Sequence, residues 1–102
     1  MEHGPLRIRT LDAAHRYVRS LSTSEQRNIA TEITLLSEGN PSVRTKLLRS
    51  PVRELVVGNH RVTYFKLEST LYFVRGFRKK SQMTPRKEIE YAEEVYRKLS
   101  AS

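Results

Sequence analysis

The middle of the chain contains three consecutive strand patterns, and they constrain the fold more than any other feature. Val52–Val57 is rich in β-branched residues, and the Gly58-Asn59 pair after it is a two-residue hairpin signal. His60–Leu67 alternates as a strand does, Glu68-Ser69 predicts a second turn, and Thr70–Phe77 is a third strand. Three strands in succession with tight turns predict an antiparallel meander.

Helical patterns lie on both sides of these strands. Upstream, Thr10 is a predicted N-cap for a first helix, and Ser22 with Glu25 three residues later is a capping box that opens a second one. Because the turn between them is short, the two helices are expected to form a hairpin. Downstream, Thr84 is the predicted N-cap of the last helix, with Pro85 at its first position.

Two further segments carry shorter patterns. Leu6–Arg9 alternates apolar and basic residues, as a short edge strand does, and Asn40–Ser50 is basic without a clean period, so it is interpreted as a connection. The sequence therefore predicts an α+β fold, with an N-terminal helical hairpin and a C-terminal helix packed on a small antiparallel β-sheet. With 102 residues, the chain is expected to form one domain, residues 1–102.

The chain is strongly basic, with 19 Lys and Arg against 11 Asp and Glu. The imbalance is concentrated between Gly39 and Lys87, where there are twelve basic residues and only two acids, Glu54 and Glu68. The rest of the chain holds seven basic and nine acidic residues. A charge distribution this uneven favours a polyanionic partner, either a nucleic acid or an acidic protein.

Several classes of protein are disfavoured by what the sequence lacks. The absence of cysteine excludes a disulfide framework and thiolate metal sites. There is no apolar run of membrane-spanning length, no signal-peptide pattern, no Gly-rich phosphate loop and no ligand spacing for zinc. We therefore expect a cytoplasmic protein with no membrane partner, no metal and no small-molecule cofactor.

A distinctive set of residues extends from the meander into the last helix. Its positions are Arg53-Glu54-Leu55, Arg61-Val62, Tyr64-Phe65, Gly76-Phe77, Lys79-Lys80, Gln82, Thr84-Pro85, Glu88-Ile89-Glu90 and Ala92. This run resembles the HigB-type, phage-derived branch of the RelE/ParE toxin superfamily, and the resemblance covers about residues 11–99. Two positions differ from the branch: Arg75 stands where many relatives carry histidine, and His60 where they often carry an aromatic residue.

The resemblance implies the toxin of a type II toxin–antitoxin pair. Such toxins bind the ribosomal A site and cleave mRNA there without a metal, so the implied partners are mRNA on the ribosome, rRNA and a cognate antitoxin with a helix-turn-helix domain. ParE-type relatives poison DNA gyrase instead, which leaves a gyrase-binding inhibitor as an alternative. A relative that has lost toxicity and serves in an antitoxin–operator complex is another.

Metal-free RNA cleavage needs a base for the 2′-OH, cations around the phosphate and an acid for the leaving 5′-oxygen. The resemblance places Arg61 where RelE-like toxins keep a phosphate-stabilising arginine, and the alternative is a solvated strand arginine. A strand-edge arginine contributes little to a core, so Arg61→Ala is expected to remove toxicity and leave the fold intact. Lys79 and Lys80 are interpreted as catalytic cations, or else as part of a general rRNA-binding patch.

The proton-transfer groups are less constrained. His60 is the imidazole near the basic cluster and titrates near neutrality, but it also lies beside a tight turn, where an exposed idle histidine is more common. Glu54 is interpreted as structural, orienting Arg53 or Arg61. The catalytic candidates are Arg61, Lys79, Lys80 and His60. The candidates for RNA or ribosome binding are Arg53, Arg75, Arg78, Arg86, Lys87 and Tyr64, of which Arg86 and Lys87 open the last helix at a potential anion seat.

Overall fold

The structure, a computed structural model, describes residues 4–102, and eight regular elements lie in that range. In chain order they are β1 (Arg7–Thr10), α1 (Asp12–Arg19), α2 (Thr23–Ser37), β2 (Thr45–Arg49), β3 (Val52–Val57), β4 (His60–Leu67), β5 (Thr70–Arg78) and α3 (Arg86–Ser100). The strands form one five-stranded sheet in the order β1-β5-β4-β3-β2.

The predicted meander is present as β3, β4 and β5, each antiparallel to the next. The predicted edge strand near the start of the chain is also present, but it pairs in parallel with β5, with Ile8 opposite Leu71. The sheet is therefore mixed rather than purely antiparallel. The chain between β1 and β5 contains the α1–α2 hairpin and three strands. Parallel pairing needs a long crossover of this kind, whereas a tight turn would give an antiparallel pair.

One strand was not predicted. Thr45–Arg49, which the sequence suggested was part of a connection, is strand β2 and pairs antiparallel with β3. It lies at the sheet edge, and Leu47 in its centre is 54% exposed. An edge strand needs no apolar alternation, and charged side chains suit it because they discourage pairing with other chains.

The capping box at the start of α2 is confirmed. The Ser22 hydroxyl accepts the Glu25 N–H at 3.2 Å, and the Glu25 carboxylate accepts the Ser22 N–H at 3.1 Å. The predicted N-cap of α1 is wrong by one residue, since Leu11 holds that position. Thr10 stays in β1, where it is opposite Phe73.

The start of α3 also lies one residue later than predicted. Pro85 is the N-cap instead of the first helical residue. The Thr84 hydroxyl does not cap the helix, because it donates a hydrogen bond to Glu54 Oε1 at 2.7 Å. Glu54 on β3 therefore binds the Thr84 hydroxyl that local sequence rules assign to the cap of α3.

The apolar core has two parts, one on each face of the sheet. On one face α1 and α2 cover a cluster of buried residues that comprises Ala14, Ile29, Leu55, Val62, Tyr64, Leu71 and Phe73. On the other face α3 covers Val52, Phe65, Val74 and Ala92. Along β4 the two sets alternate, as the period of a strand requires. Within the described residues, no helix has the length and apolar character needed to cross a membrane.

A basic cleft as the candidate functional site

A concave cleft of about 920 Å³ lies beside the start of α3. Its lining comes from strands β2 to β5 and Arg44 just before them, from the segment between β5 and α3, from the first turn of α3, and from Tyr17 of α1. The cations that line it are Arg44, Lys46, Arg61, Arg78, Lys79, Lys80 and Lys87, and the acids are Glu54 and Glu88. We call it the basic cleft, because this excess of cations attracts polyanions.

Arg61 lies on β4 and is tightly held. Its Nη1 donates hydrogen bonds to the carbonyl oxygens of Gly58 at 2.8 Å and His60 at 3.0 Å. Its Nε lies 3.7 Å from Glu54 Oε2, and the side chain is only 11% exposed. The expected place of Arg61 at a strand edge is therefore wrong, since β4 is the central strand and the guanidinium is hydrogen-bonded to its surroundings.

Glu54 connects the sheet to the segment that precedes α3. The residue is 3% exposed, and its two carboxylate oxygens face Thr84 and Arg61. Of the two arginines that Glu54 was expected to orient, Arg61 is the one it faces. A buried carboxylate with two partners restrains both, so Glu54 holds the Arg61 guanidinium and the end of the loop in a defined relation.

Lys79 and Lys80 are exposed residues in the cleft lining, just after β5 ends at Arg78. The alternation of faces along a strand does not extend to them, so both can border the cleft. The backbone N–H of Lys79 donates to the Asn59 carbonyl at 2.7 Å, which attaches this segment to the β3–β4 turn. Within residues 4–102, neither ammonium group is paired with a carboxylate.

His60 is not the exposed histidine that its place beside a turn suggested. The residue is 6% exposed, and both ring nitrogens have partners: the Tyr17 hydroxyl is 2.7 Å from Nδ1, and Glu25 Oε2 is 2.8 Å from Nε2. Its side chain lies on the face covered by α1 and α2. With no ring nitrogen left for a substrate, His60 has the contacts of a positioning residue that joins α1, α2 and β4.

The groups around His60 are electrostatically perturbed. The Ser22 hydroxyl, then His60 and the Ser22 N–H, donate hydrogen bonds to Glu25 and lower the pKa of that carboxyl to about 2. Burial raises the pKa of Tyr17 above its ordinary value of 10.0, and the protonated hydroxyl can donate to Nδ1. Arg78 Nη2 lies 3.9 Å from Glu25 Oε2, which brings a cation of the cleft to the edge of this network.

Two of the predicted RNA-binding residues occupy other places. Tyr64 is 4% exposed, and its ring stacks on Phe73 with 5.4 Å between centroids. Its proposed contact with RNA is therefore wrong, because the ring belongs to the core. Arg53 lies outside the cleft lining, and its Nη2 donates to Thr45 Oγ1 at 3.2 Å.

The remaining predicted cations are divided between the cleft and its surroundings. Arg78 and Lys87 line the cleft. Arg86 does not, and its Nε lies 3.0 Å from Glu90 Oε2 one turn along α3. Arg75 is also outside the cleft lining: its Nε is 3.2 Å from Glu88 Oε1, and its guanidinium carbon is 5.0 Å from the centroid of the Tyr91 ring.

Several cleft residues escaped sequence-based assignment. Arg44 and Lys46 belong to the basic middle of the chain, but only the recognition of β2 places them opposite the start of α3. Glu88 is one of the residues that resemble the HigB-type pattern, but sequence analysis assigned it no role. Tyr17 is not part of that pattern, and nothing in the sequence pointed to it. These residues come from distant parts of the chain, and no local pattern indicates that they meet.

Comparisons with known proteins agree with this architecture. The family model of the Gp49-like phage-derived proteins matches residues 16–97, most of the chain. The chain belongs to the Gp49-like family. No curated protein sequence matches it.

Solved structures of RelE toxins share the fold of this Gp49-like protein. The archaeal RelE–RelB complex from Pyrococcus horikoshii aligns with a TM-score of 0.61 at 14% identity, over 78% of this chain and 99% of that one. The RelBE2 complex from Mycobacterium tuberculosis aligns with a TM-score of 0.58 at 17% identity, over 78% of this chain and 98% of that one. The isolated E. coli RelE toxin aligns with a TM-score of 0.59 at 10% identity, over 88% of this chain and 98% of that one. The predicted α+β, RelE-like fold is confirmed.

Proposed function

We propose that this protein is the toxin of a type II toxin–antitoxin pair, of the HigB type, and that it cleaves mRNA on the ribosome without a metal ion. The basic cleft carries the proposal, because it places a restrained arginine among the exposed cations Lys79, Lys80 and Lys87. Membership of the phage-derived family and the RelE-like fold support it.

The proposed chemistry assigns charge stabilisation to side chains. Arg61 is fixed by two carbonyl oxygens and Glu54, so its guanidinium needs no rearrangement when charge grows on a phosphate. A planar guanidinium can donate two parallel hydrogen bonds to phosphate oxygens. Lys79 and Lys80 would hold the flanking backbone, since both are exposed and unpaired among the described residues.

The proposed partners follow from the same surface. One of the structural neighbours, RelBE2 from Mycobacterium tuberculosis, is a toxin–antitoxin complex. For this chain we propose an antitoxin with a helix-turn-helix domain that covers the basic cleft with acidic residues, and mRNA with rRNA as the target in a cytoplasmic setting. An antitoxin bound by charge in this way should bind less tightly as salt increases.

Primer extension on cellular mRNA after induction of the protein tests the proposal. Wild type should produce new 5′ ends within reading frames, and Arg61→Lys should reduce them by about 100-fold, because a lysine keeps the charge but loses the paired donors. Arg9→Lys, an exposed arginine on β1 outside the cleft, is the matched control and should cleave as wild type does. Growth arrest with intact mRNA and an induced DNA-damage response would instead indicate a gyrase inhibitor.

A further inference from the structure

Phe77 is an aromatic residue that lines the basic cleft and takes no part in the core. It lies near the end of β5 and is half-buried. Among the described residues it belongs to neither core cluster, and its ring forms no stacked or edge-to-face pair with another aromatic ring. Aromatic side chains usually stabilise a protein by packing in its core, so a ring left in the lining of a cleft is available to a ligand.

The strand register places Phe77 beside Arg61. Arg61 on β4 is directly opposite Phe77 on β5, and on its other side it is directly opposite Val56 on β3. Residues directly opposite each other in antiparallel strands lie on the same face of the sheet, with Cβ atoms about 4.5–5.5 Å apart. All three residues line the cleft, which therefore carries an arginine between an aromatic and an aliphatic side chain.

This row of residues matches the two chemical parts of a nucleotide. A guanidinium binds a phosphate, and an aromatic ring binds the face of a base by stacking. Lys79 and Lys80 follow Phe77 in the same lining and are exposed, so they add positive charge for the neighbouring phosphates. The bases of a duplex are already stacked on one another, so only a single strand offers an unpaired base to the ring.

We propose that Phe77 is a stacking platform for an unpaired base of single-stranded RNA, next to the phosphate that Arg61 holds. Stacking tolerates different sequences because every base has a π-face, so the platform selects single strands rather than one particular base. This inference rests on the proposed RNA-binding function. It adds a contact with the base, made by Phe77, to the contact with the phosphate made by Arg61.

Two fluorescent oligomers of equal length test the platform. One is oligouridylate, and the other is a chain of abasic ribose phosphates, which keeps the charge but has no bases. Their binding to the isolated protein can be measured by anisotropy at low salt. Wild type should bind oligouridylate about tenfold more tightly than the abasic chain, as expected for one stacked base. Phe77→Leu stays apolar but has no ring, so it should lose this preference and still bind the abasic chain as wild type does.

The matched control is Tyr91→Leu, because Tyr91 is 41% exposed on α3 and lies outside the cleft lining. This variant removes an aromatic ring elsewhere and should keep the preference of wild type for oligouridylate. Phe77→Tyr retains the ring and should keep the preference as well. Far-UV circular dichroism and a thermal melt check that the variants fold, and the wild-type comparison does not depend on any variant.

Three results would overturn the inference. The first is equal affinity of wild type for the two oligomers, and the second is an unchanged preference in Phe77→Leu. The third is a folded Phe77→Leu protein that binds both oligomers more weakly by the same factor, because Phe77 would then shape the cleft without contacting a base.

The same experiment separates the inference from the proposed function. Cleavage of mRNA by a protein that binds both oligomers equally would overturn the role of Phe77 and leave the toxin assignment standing. Intact mRNA in cells, together with a Phe77-dependent preference for oligouridylate in vitro, would overturn the nuclease and support the stacking platform.

Discussion

At the scale of single residues, the restraint on Arg61 is the feature with the clearest consequence. The guanidinium donates to two carbonyl oxygens and faces a buried carboxylate, so it serves the fold as well as the cleft. A substitution that removes it acts on stability and on the proposed activity together. Loss of activity in such a variant therefore needs a stability measurement beside it.

We expect Arg61→Ala to lower the free energy of unfolding by about 1–3 kcal/mol, because it removes the hydrogen bonds of Arg61 to two carbonyl oxygens and leaves Glu54 Oε2 without its cation. Urea denaturation monitored by circular dichroism measures this change. The double variant Arg61→Ala with Glu54→Gln should recover part of the loss, since the amide no longer carries an uncompensated charge. A single variant as stable as wild type would show that the contacts of Arg61 contribute nothing to folding.

Glu25 should make the stability depend on pH in the acid range. Its folded pKa of about 2 lies below the ordinary value of 4.5, so its contribution is complete above pH 4.5. The contribution is lost as the pH falls from 4.5 toward 2, because protonation removes the acceptor for Ser22 and His60. Urea unfolding of Glu25→Gln across this range should show a weaker dependence on pH than wild type. Equal slopes in the two proteins would contradict the shift.

At the scale of elements, the close approach of α1 to β5 joins the helical hairpin to the strand that leads into the cleft. A Cβ added at Gly76 would lie 2.4 Å from Tyr17 Cδ2 and 2.8 Å from Cγ. The ring cannot move freely, because its hydroxyl is hydrogen-bonded to His60. Gly76 is therefore required by packing, although the sequence shows it only as one glycine within a strand.

Gly76→Ala should destabilise the protein by about 1–3 kcal/mol, the usual effect of overpacking. A thermal melt or urea titration measures it. Gly4→Ala is the matched control, since a Cβ there meets nothing within 4 Å. Its effect should stay within about 0.5 kcal/mol. A Gly76→Ala protein with wild-type stability would mean that Tyr17 has room to move aside.

The elements also show where local patterns are informative and where they fail. Period-two alternation and turn residues predicted β3, β4 and β5, because a half-buried strand shows its two faces in its own sequence. In β5, however, Phe73 is opposite Tyr64 and Arg75 is opposite Thr63, so Val74 is an extra residue in the ladder. Val74 and Arg75 consequently both lie toward α3. A single bulge changes the face of every later side chain, and no local signal marked it.

At the scale of the whole molecule, the distribution of acids leaves the cleft positive. Outside the cleft lining, three glutamates of α3 form ion pairs with arginines. The pairs are Glu90 with Arg86, Glu93 with Arg49 and Glu94 with Arg97. The cleft lining holds seven cations and two acids, and both acids are buried. Seven of the twelve basic residues in the middle of the chain thus line one concave surface.

The salt dependence of RNA binding tests this arrangement. Replacing both Lys79 and Lys80 with Gln should reduce the slope of log K against log salt by about 1.4, because each phosphate contact to a single strand contributes about 0.7. Replacing Arg7 and Arg9 on β1 with Gln removes the same charge outside the cleft and should leave the slope near that of wild type. Equal reductions in the two variants would show that net charge, and not the cleft, governs binding.

The sequence by itself determined the meander, the capping box of α2, the last helix and the concentration of positive charge. Each of these depends on residues close together in the chain, through strand period, turn chemistry and helix capping. Tertiary structure alone decided that His60 is buried against Tyr17, 43 positions away, and Glu25, 35 positions away. It also decided that the Thr84 hydroxyl donates to Glu54, 30 positions away. It also decided the place of Glu88 in the cleft. The environment of a side chain is set by residues distant in sequence, and no local period encodes that.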